Sequence, residues 1–248
     1  MEWRESDGVR WLEADLGDAR AAFSTRLGGV SEGPFESLNL GILTDDANEA
    51  VTENRRRLAA ALSLDPERVP IALQVHGADL AHHSAPQQPS PFAHPGNDLG
   101  SADGHVVATP GLAPLVFVAD CLPVALSGPG GVAMLHCGWR GLAGGIVAAG
   151  TEAVGATDAA IGPGIAPCCY EVGEEVLEAF ADLGEGVAED RMLDLPEVAR
   201  RKLRQAGVDR VESAGLCTSC EAELFFSHRR DRGVTGRQAG LVWLTEES

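Results

Sequence analysis

Three side chains of ligand type share one position relative to apolar runs. His76 ends Ile71-Ala-Leu-Gln-Val-His, Cys121 follows Leu115-Val-Phe-Val-Ala with Asp120 between, and His136 ends Val132-Ala-Met-Leu-His. If the three runs are strands of one sheet with their C-terminal ends together, imidazole, thiolate and imidazole converge at one edge, where α/β sheets place their ligand crevices. Two histidines and a cysteine offer zinc three ligands and leave a fourth position open, the layout of a catalytic rather than a closed structural site. On spacing alone, a buried cysteine beside two hydrogen-bonded histidines accounts for the pattern equally well. Arginines beside glycine turns form a second constellation. Arg26 lies in Ser24-Thr-Arg-Leu-Gly-Gly, and Arg140 in His136-Cys-Gly-Trp-Arg-Gly. Glycine lets backbone N–H groups approach an anion, and a guanidinium offers phosphate a two-pronged fork, although structural arginines bridging loops to carbonyls look the same in sequence. Cys217-Thr-Ser-Cys220 has thioredoxin-like spacing without a βαβ context, and Cys168-Cys169 reads as two small buried thiols. There is no P-loop, G-x-S-x-G or H-E-x-x-H, and no histidine has Glu two residues on, as the zinc deaminase signature requires.

The elements that must position these groups follow from periodicity. Strands are predicted at Ala21–Thr25, Ile71–His76, Asp103–Thr109, Leu115–Ala119, Val132–His136, Val208–Val211 and Leu241–Leu244. Asp45 or Asp46 is positioned to cap a helix running to Leu62. Further helices are predicted over Leu142–Val154, Glu174–Asp182 and Pro196–Ala206. Interleaved strands and helices give an α/β or α+β class with a mixed sheet. Ala81–Ala102 holds three histidines and four prolines without periodicity, which reads as a flap near His76 or a surface loop.

The chain has 248 residues, 44 % of them hydrophobic and 23 % charged, which suits one large domain or two small ones. Thirty-seven acids against nineteen bases leave a formal charge of −18, which disfavours nonspecific binding to nucleic acid or anionic lipid. The longest apolar run, Leu112 to Ala119, is less than half a membrane span, and no signal peptide is visible. The six cysteines are therefore expected as reduced thiols or metal ligands in a cytoplasmic protein.

Taken together, the motifs resemble the YfiH-type laccase-domain family, called multicopper polyphenol oxidoreductase and, more recently, purine nucleoside phosphorylase. The resemblance begins at Ser24-Thr-Arg-Leu-Gly-Gly-Val-Ser-Glu-Gly-Pro-Phe-Glu-Ser-Leu-Asn-Leu-Gly41. It continues through Gln74-Val-His-Gly77, Ala102-Asp-Gly104, Ala119-Asp-Cys-Leu-Pro123 and His136-Cys-Gly-Trp-Arg-Gly141. Ile161-Gly-Pro-Gly-Ile-Ala-Pro-Cys-Cys-Tyr-Glu-Val172, Phe225-Phe-Ser-His-Arg-Arg230 and Thr235-Gly-Arg237 follow in order, so the match covers about residues 20 to 244. Two departures, Cys137 for the usual Ala and His228 for the usual Tyr, remove no ligand.

The resemblance implies a single domain over 1–248, with mixed sheets flanked by helices in a layout related to a toxin cysteine-hydrolase fold. It puts zinc, with copper as a possible substitute, on His76, Cys121 and His136. It also implies phosphorolysis of adenosine, inosine and methylthioadenosine, with adenosine deamination as a side activity. On that reading Arg26 and Arg140 are candidates to clamp phosphate, with Asn39 as a polar neighbour, and Asp120 is a proton carrier or an orienting group. The expected partners are a purine nucleoside and phosphate, and a monomer is expected. Three alternatives stay open: copper-dependent phenol oxidation, cysteine hydrolase chemistry on Cys121 with His136 or His76 as base, and peptidoglycan-precursor editing. Seven histidines without a His-x-His pair fit a four-copper oxidase poorly.

Overall fold

The apolar runs pair into two stacked sheets. A computed structural model describes residues 1–96 and 99–245. The strands are β1 Glu2–Ser6, β2 Val9–Asp15, β3 Ala19–Ser24, β4 Leu80–His83, β5 Gly104–Val107, β6 Leu115–Val118, β7 Leu122–Gly128, β8 Gly131–Cys137, β9 Asp158–Ile161, β10 Ala188–Glu189, β11 Met192–Leu193, β12 Arg210–Ser213 and β13 Gln238–Leu244. The helices are α1 Asn48–Ala61, α2 Trp139–Ala143, α3 Ile146–Val154, α4 Glu174–Glu178 and α5 Leu195–Gln205. One sheet, ordered β1-β2-β3-β13-β6, is antiparallel throughout. The other, β12-β9-β7-β8-β5-β4, is antiparallel in its middle and parallel at both edge pairs.

Burial on both faces explains why the central strands are continuously apolar. In β8, Val132 and Met134 pack between the sheets while Ala133, Leu135 and Cys137 pack against the helices. β7 divides likewise, with Ala125 inward and Leu122, Val124 and Leu126 toward the helices. α3 and α5 cover that outer face through Ile146, Val147, Val198, Ala199 and Leu203. α1 covers the far face of the antiparallel sheet through Leu58 and Ala59. The order of layers is helix, sheet, sheet, helices, with three apolar interfaces between them.

Several sequence expectations need correction. Ile71–His76 is not a strand: only Leu73 bridges, to Ser101. The neighbouring contact with β6 is made by a side chain, since Gln74 donates to the Phe117 carbonyl and accepts from the Phe117 N–H, both at 2.8 Å. The helix expected from Leu142 is two helices, broken where Gly145 takes φ 88°. Asp46 does not cap α1. Its carboxylate instead takes Ser31 Oγ, Asn39 Nδ2 and the Ala47 N–H, and α1 starts from Ala47. α5 starts one residue before the predicted helix, with Asp194 accepting from the Glu197 N–H at 2.9 Å. The Ala81–Ala102 stretch opens inside β4 and buries Phe92, so it is anchored in the core. Its residues 97 and 98, like residues 246–248 of the expected 1–248 domain, lie outside the described residues. Among the described residues, no helix is long and apolar enough to cross a membrane.

Candidate metal centre and its cavity

The three ligand candidates meet, but not on one sheet edge. β6 belongs to the antiparallel sheet and β8 to the mixed one, and the chain passes from the first to the second through Ala119–Cys121 into β7. Cys121 therefore stands at the corner between the sheets. His136 shares the parity of Val132 and Met134, so it faces the gap between the sheets near the end of β8. The irregular segment carrying His76 closes the third side. One ligand atom from each residue lies within 4.8 Å of the others, and the two imidazoles meet edge-on with centroids 4.9 Å apart. His76 is exposed, Cys121 half-buried and His136 buried.

Two positions here adopt left-handed backbone without being glycine: His76 at φ 60° and Asp120 at φ 93°. Such conformations cost on the order of 1–3 kcal/mol each and persist where surrounding contacts over-determine them. Asp103, fully buried, supplies those contacts for His76. Its Oδ1 accepts from His136 Nδ1 at 2.7 Å and from the His76 N–H at 2.9 Å. Its Oδ2 accepts from the N–H groups of Gly77 at 2.7 Å and Val75 at 3.1 Å. One carboxylate thus shapes the His76 turn and orients the His136 ring, leaving Nε2 as the nitrogen available for ligation. The equivalent support for Asp120 comes from Thr218 Oγ1 and the Arg229 N–H, each 2.7 Å from its carboxylate, and from its own carbonyl accepting the Ile165 N–H.

The electrostatics favour a thiolate. Burial works against ionisation of Cys121, but the charge of His136 and hydrogen bonds from His136 and His76 outweigh it and bring the thiol down to about 6. Burial alone would likewise depress His136. The Cys121 charge and the Asp103 hydrogen bond instead raise it to about 9. A thiolate with two imidazoles is a soft donor set suited to zinc or copper. Gly138 is what lets the backbone pass: a Cβ there would stand 3.0 Å from Cys121 Sγ and 3.3 Å from His76 Cδ2.

The ligands border a cavity of about 800 Å³ that also meets Asp120, Phe117, Tyr170, Arg55, Arg140, Arg229 and Arg237. Arg140 lies over the Trp139 ring, 4.4 Å from its centroid, and its guanidinium makes no hydrogen bond or ion pair among the described residues. The other arginine expected beside it is elsewhere. Arg26 is outside the cavity lining, donating to the carbonyls of Glu36 and Ala222 and stacking on Phe226. Asn39 also lies outside the lining, behind Gly41, Thr44 and Arg237, to which it is hydrogen-bonded. It is fully buried, bonding Thr44, Asp46 and the Arg237 N–H, and it braces the loop between β3 and α1. Neither of these two expected residues borders the cavity, and both hold loops together. Asp103 and Arg237, inside the motifs Ala102-Asp-Gly104 and Thr235-Gly-Arg237, belong to the site although residue type and spacing give neither a role there. The invitation was there in Asp103, an acid opening an apolar strand.

The family pattern described as multi-copper polyphenol oxidoreductase laccase matches residues 20–245. Purine nucleoside phosphorylase YlmD of Geobacillus stearothermophilus is 37 % identical over 250 residues, covering 92 % of this chain and 91 % of that one. Purine nucleoside phosphorylase SCO2081 of Streptomyces coelicolor is 41 % identical, covering 91 % and 96 %. The crystal structure of YlmD from Geobacillus stearothermophilus superposes with a TM-score of 0.88 at 35 % identity, over 98 % of each chain.

Proposed function

The chain belongs to the family described as multi-copper polyphenol oxidoreductase laccase, and from that premise we propose that it is a metal-dependent purine nucleoside phosphorylase. The proposed substrates are adenosine, inosine and methylthioadenosine, with adenosine deamination as a side activity. Relatives named purine nucleoside phosphorylase support the reaction class. The observation that carries the reading is the meeting, on one cavity, of a two-imidazole, one-thiolate cluster and an uncommitted guanidinium.

His76, Cys121 and His136 are the proposed metal ligands, with zinc as the ion and copper as the alternative the same donors accept. When bound, the ion supplies Lewis-acid charge at the cavity wall. Asp103 keeps the His136 proton on Nδ1 and the His76 turn in shape, so the donor set is organised in advance. Arg140 is the proposed phosphate grip, because a guanidinium fork matches two phosphate oxygens and this one has no competing hydrogen-bond partner among the described residues. In phosphorolysis a phosphate oxygen bonds to ribose C1′ as the bond from C1′ to the purine nitrogen breaks. The bonding pair leaves with the purine, which takes up a proton as it departs. Phe117 and Tyr170 offer the base an apolar wall. Asp120, with both Thr218 and Arg229 on its carboxylate, is assigned as a positioning residue for the Cys121 corner.

The test is to incubate the purified protein with each nucleoside, with and without phosphate, and identify products by mass. Phosphate-dependent release of free purine and ribose 1-phosphate is expected, with inosine forming slowly from adenosine without phosphate. The family description favours a second reading, phenol oxidation on copper. Turnover of phenols by the copper-loaded protein, with no phosphate-dependent cleavage by the zinc-loaded one, would establish that reading and refute the first.

A further inference from the structure

Four cysteines outside the cavity site converge from two distant loops. Cys168 and Cys169 lie in the loop after β9, and Cys217 and Cys220 in the stretch after β12. All four sulfurs lie within 4.8 Å of one another. Cys220 Sγ is 3.4 Å from Cys168 Sγ and 3.5 Å from Cys169 Sγ. A tetrahedron with metal–sulfur bonds of about 2.3 Å has edges of about 3.8 Å, so these separations bracket the spacing of a tetrathiolate site. From this geometry we propose that Cys168, Cys169, Cys217 and Cys220 form a second, structural metal site that takes zinc, or a cation of the same thiophilic class.

The local backbone is shaped for it. Cys217 and Cys220 sit at the two-residue spacing from which a tight turn offers two sulfurs to one ion. The N–H of Ala166 donates to Cys217 Sγ at 3.4 Å. The two loops already touch at a bridge between Gly164 and Cys217, where the Thr218 N–H donates to the Gly164 carbonyl at 3.0 Å.

The fold has a use for the cross-link. Residues 214–237 contain no helix or strand, an unusual length of irregular chain for a compact domain. This stretch supplies Thr218 to Asp120 and carries Arg229 on the cavity wall, while the Cys168 loop carries Tyr170. Cys168 and Cys220 are exposed, so neither apolar packing nor a shared core accounts for their meeting. A closed four-sulfur site leaves no open position, which separates its role from that of the cavity cluster.

The experiment measures zinc by elemental analysis in the wild-type protein, in Cys121→Ser and in Cys217→Ser/Cys220→Ser. Cys121→Ser should keep one zinc per chain through EDTA dialysis, and the double variant should hold one zinc fewer than the wild type. With cobalt(II) replacing zinc, the near-UV thiolate-to-metal absorption per ion in Cys121→Ser should be about fourfold that of a one-thiolate site. Should the double variant fail to fold, the wild type itself decides by native alkylation. Cys168 and Cys220 must be protected despite their exposure, and must react after a strong chelator strips the metal. Rapid alkylation of both before chelation would overturn the proposal. So would an intact mass lower by two hydrogens, the mark of a disulfide, or a metal-free Cys121→Ser protein that is folded.

Discussion

Asp103→Asn isolates the group on which the cavity ligands depend. The carboxylate accepts four hydrogen bonds, two on each oxygen, with no exposure to water. A carboxamide retains one oxygen. If its NH₂ faces His136, it must donate to Nδ1, which forces the ring proton onto Nε2 and removes the nitrogen that would ligate metal. If the NH₂ faces the other way, it meets the N–H groups of Val75 and Gly77, donor against donor, and the His76 turn loses its support. Either orientation forfeits two charge-assisted hydrogen bonds, each worth about 1.5–3 kcal/mol. The expected destabilisation is therefore about 3–6 kcal/mol, or about 6–24 °C in Tm for a chain of this size. Loss of an orienting partner typically weakens metal binding about 10–100-fold. Zinc affinity by chelator competition and Tm by calorimetry read the two effects separately. A variant with zinc affinity within about twofold of wild type and an unchanged Tm would refute the assignment of Asp103 as the organiser of both histidines.

Four further outcomes are expected. Arg140→Lys should raise KM for phosphate about tenfold, because one bidentate partner becomes a point charge. Arg26→Lys should lower Tm and leave that KM unchanged, and equal kinetic effects in steady-state assays would return Arg26 to the phosphate site. Gly138→Ala should fold yet bind zinc at least about tenfold more weakly, since its Cβ at 3.0 Å from Cys121 Sγ forces the ligands apart; isothermal titration checks it. His105 gives a pH signature: burial, helped by the charge of His83, pushes it down to about 3. The unfolded chain takes up that proton near pH 6.5 and the folded one does not, so stability falls as pH drops below about 6.5, by about 2 kcal/mol at pH 5. Urea melts of wild type and His105→Gln at pH 7 and pH 5 should show the smaller acid-side loss in the variant.

The sequence was most legible where burial is two-sided. The apolar runs of β6 and β8 stand out because neither face meets water, and the ligands at their ends inherit that clarity. The edge strand β1, mostly exposed, carries no such pattern. β7, though fully buried along most of its length, is masked by its proline and its short link to β8. The segment before His76 failed differently. Its composition is that of a strand, but a left-handed residue and a side chain substituting for the ladder are tertiary facts that alternation does not encode. Likewise the four thiols near Cys217 look unrelated in sequence because loop closure, not spacing, brings them together.

Arginine shows where the reading of residue types reaches its limit. Every guanidinium has the same fork, so what separates a ligand-binding arginine from a structural one is whether its donors are already engaged. Arg55 and Arg237, which border the cavity, direct part of theirs to backbone carbonyls at Leu40, Pro91, Phe92, Thr235 and Gly236, while the buried Nη2 of Arg55 has no partner among the described residues. Arg229 gives one to the Glu171 carbonyl, and Arg230 is consumed by Asp231 and three carbonyls. Among the described residues Arg140 rests on an aromatic face alone, which on the proposed reading leaves its donors for an incoming anion. Arg26 and Arg140 both follow the expectation that glycines flank an anion grip, yet only one of them borders the cavity. The glycines near Arg26 serve another end: a Cβ at Gly29 would stand 2.0 Å from the Ser37 carbonyl oxygen, so that residue is small because two backbones cross there. The same sequence feature thus answers to close packing in one loop and, on the proposed reading, to anion approach in the other, and only the inventory of unengaged donors tells them apart.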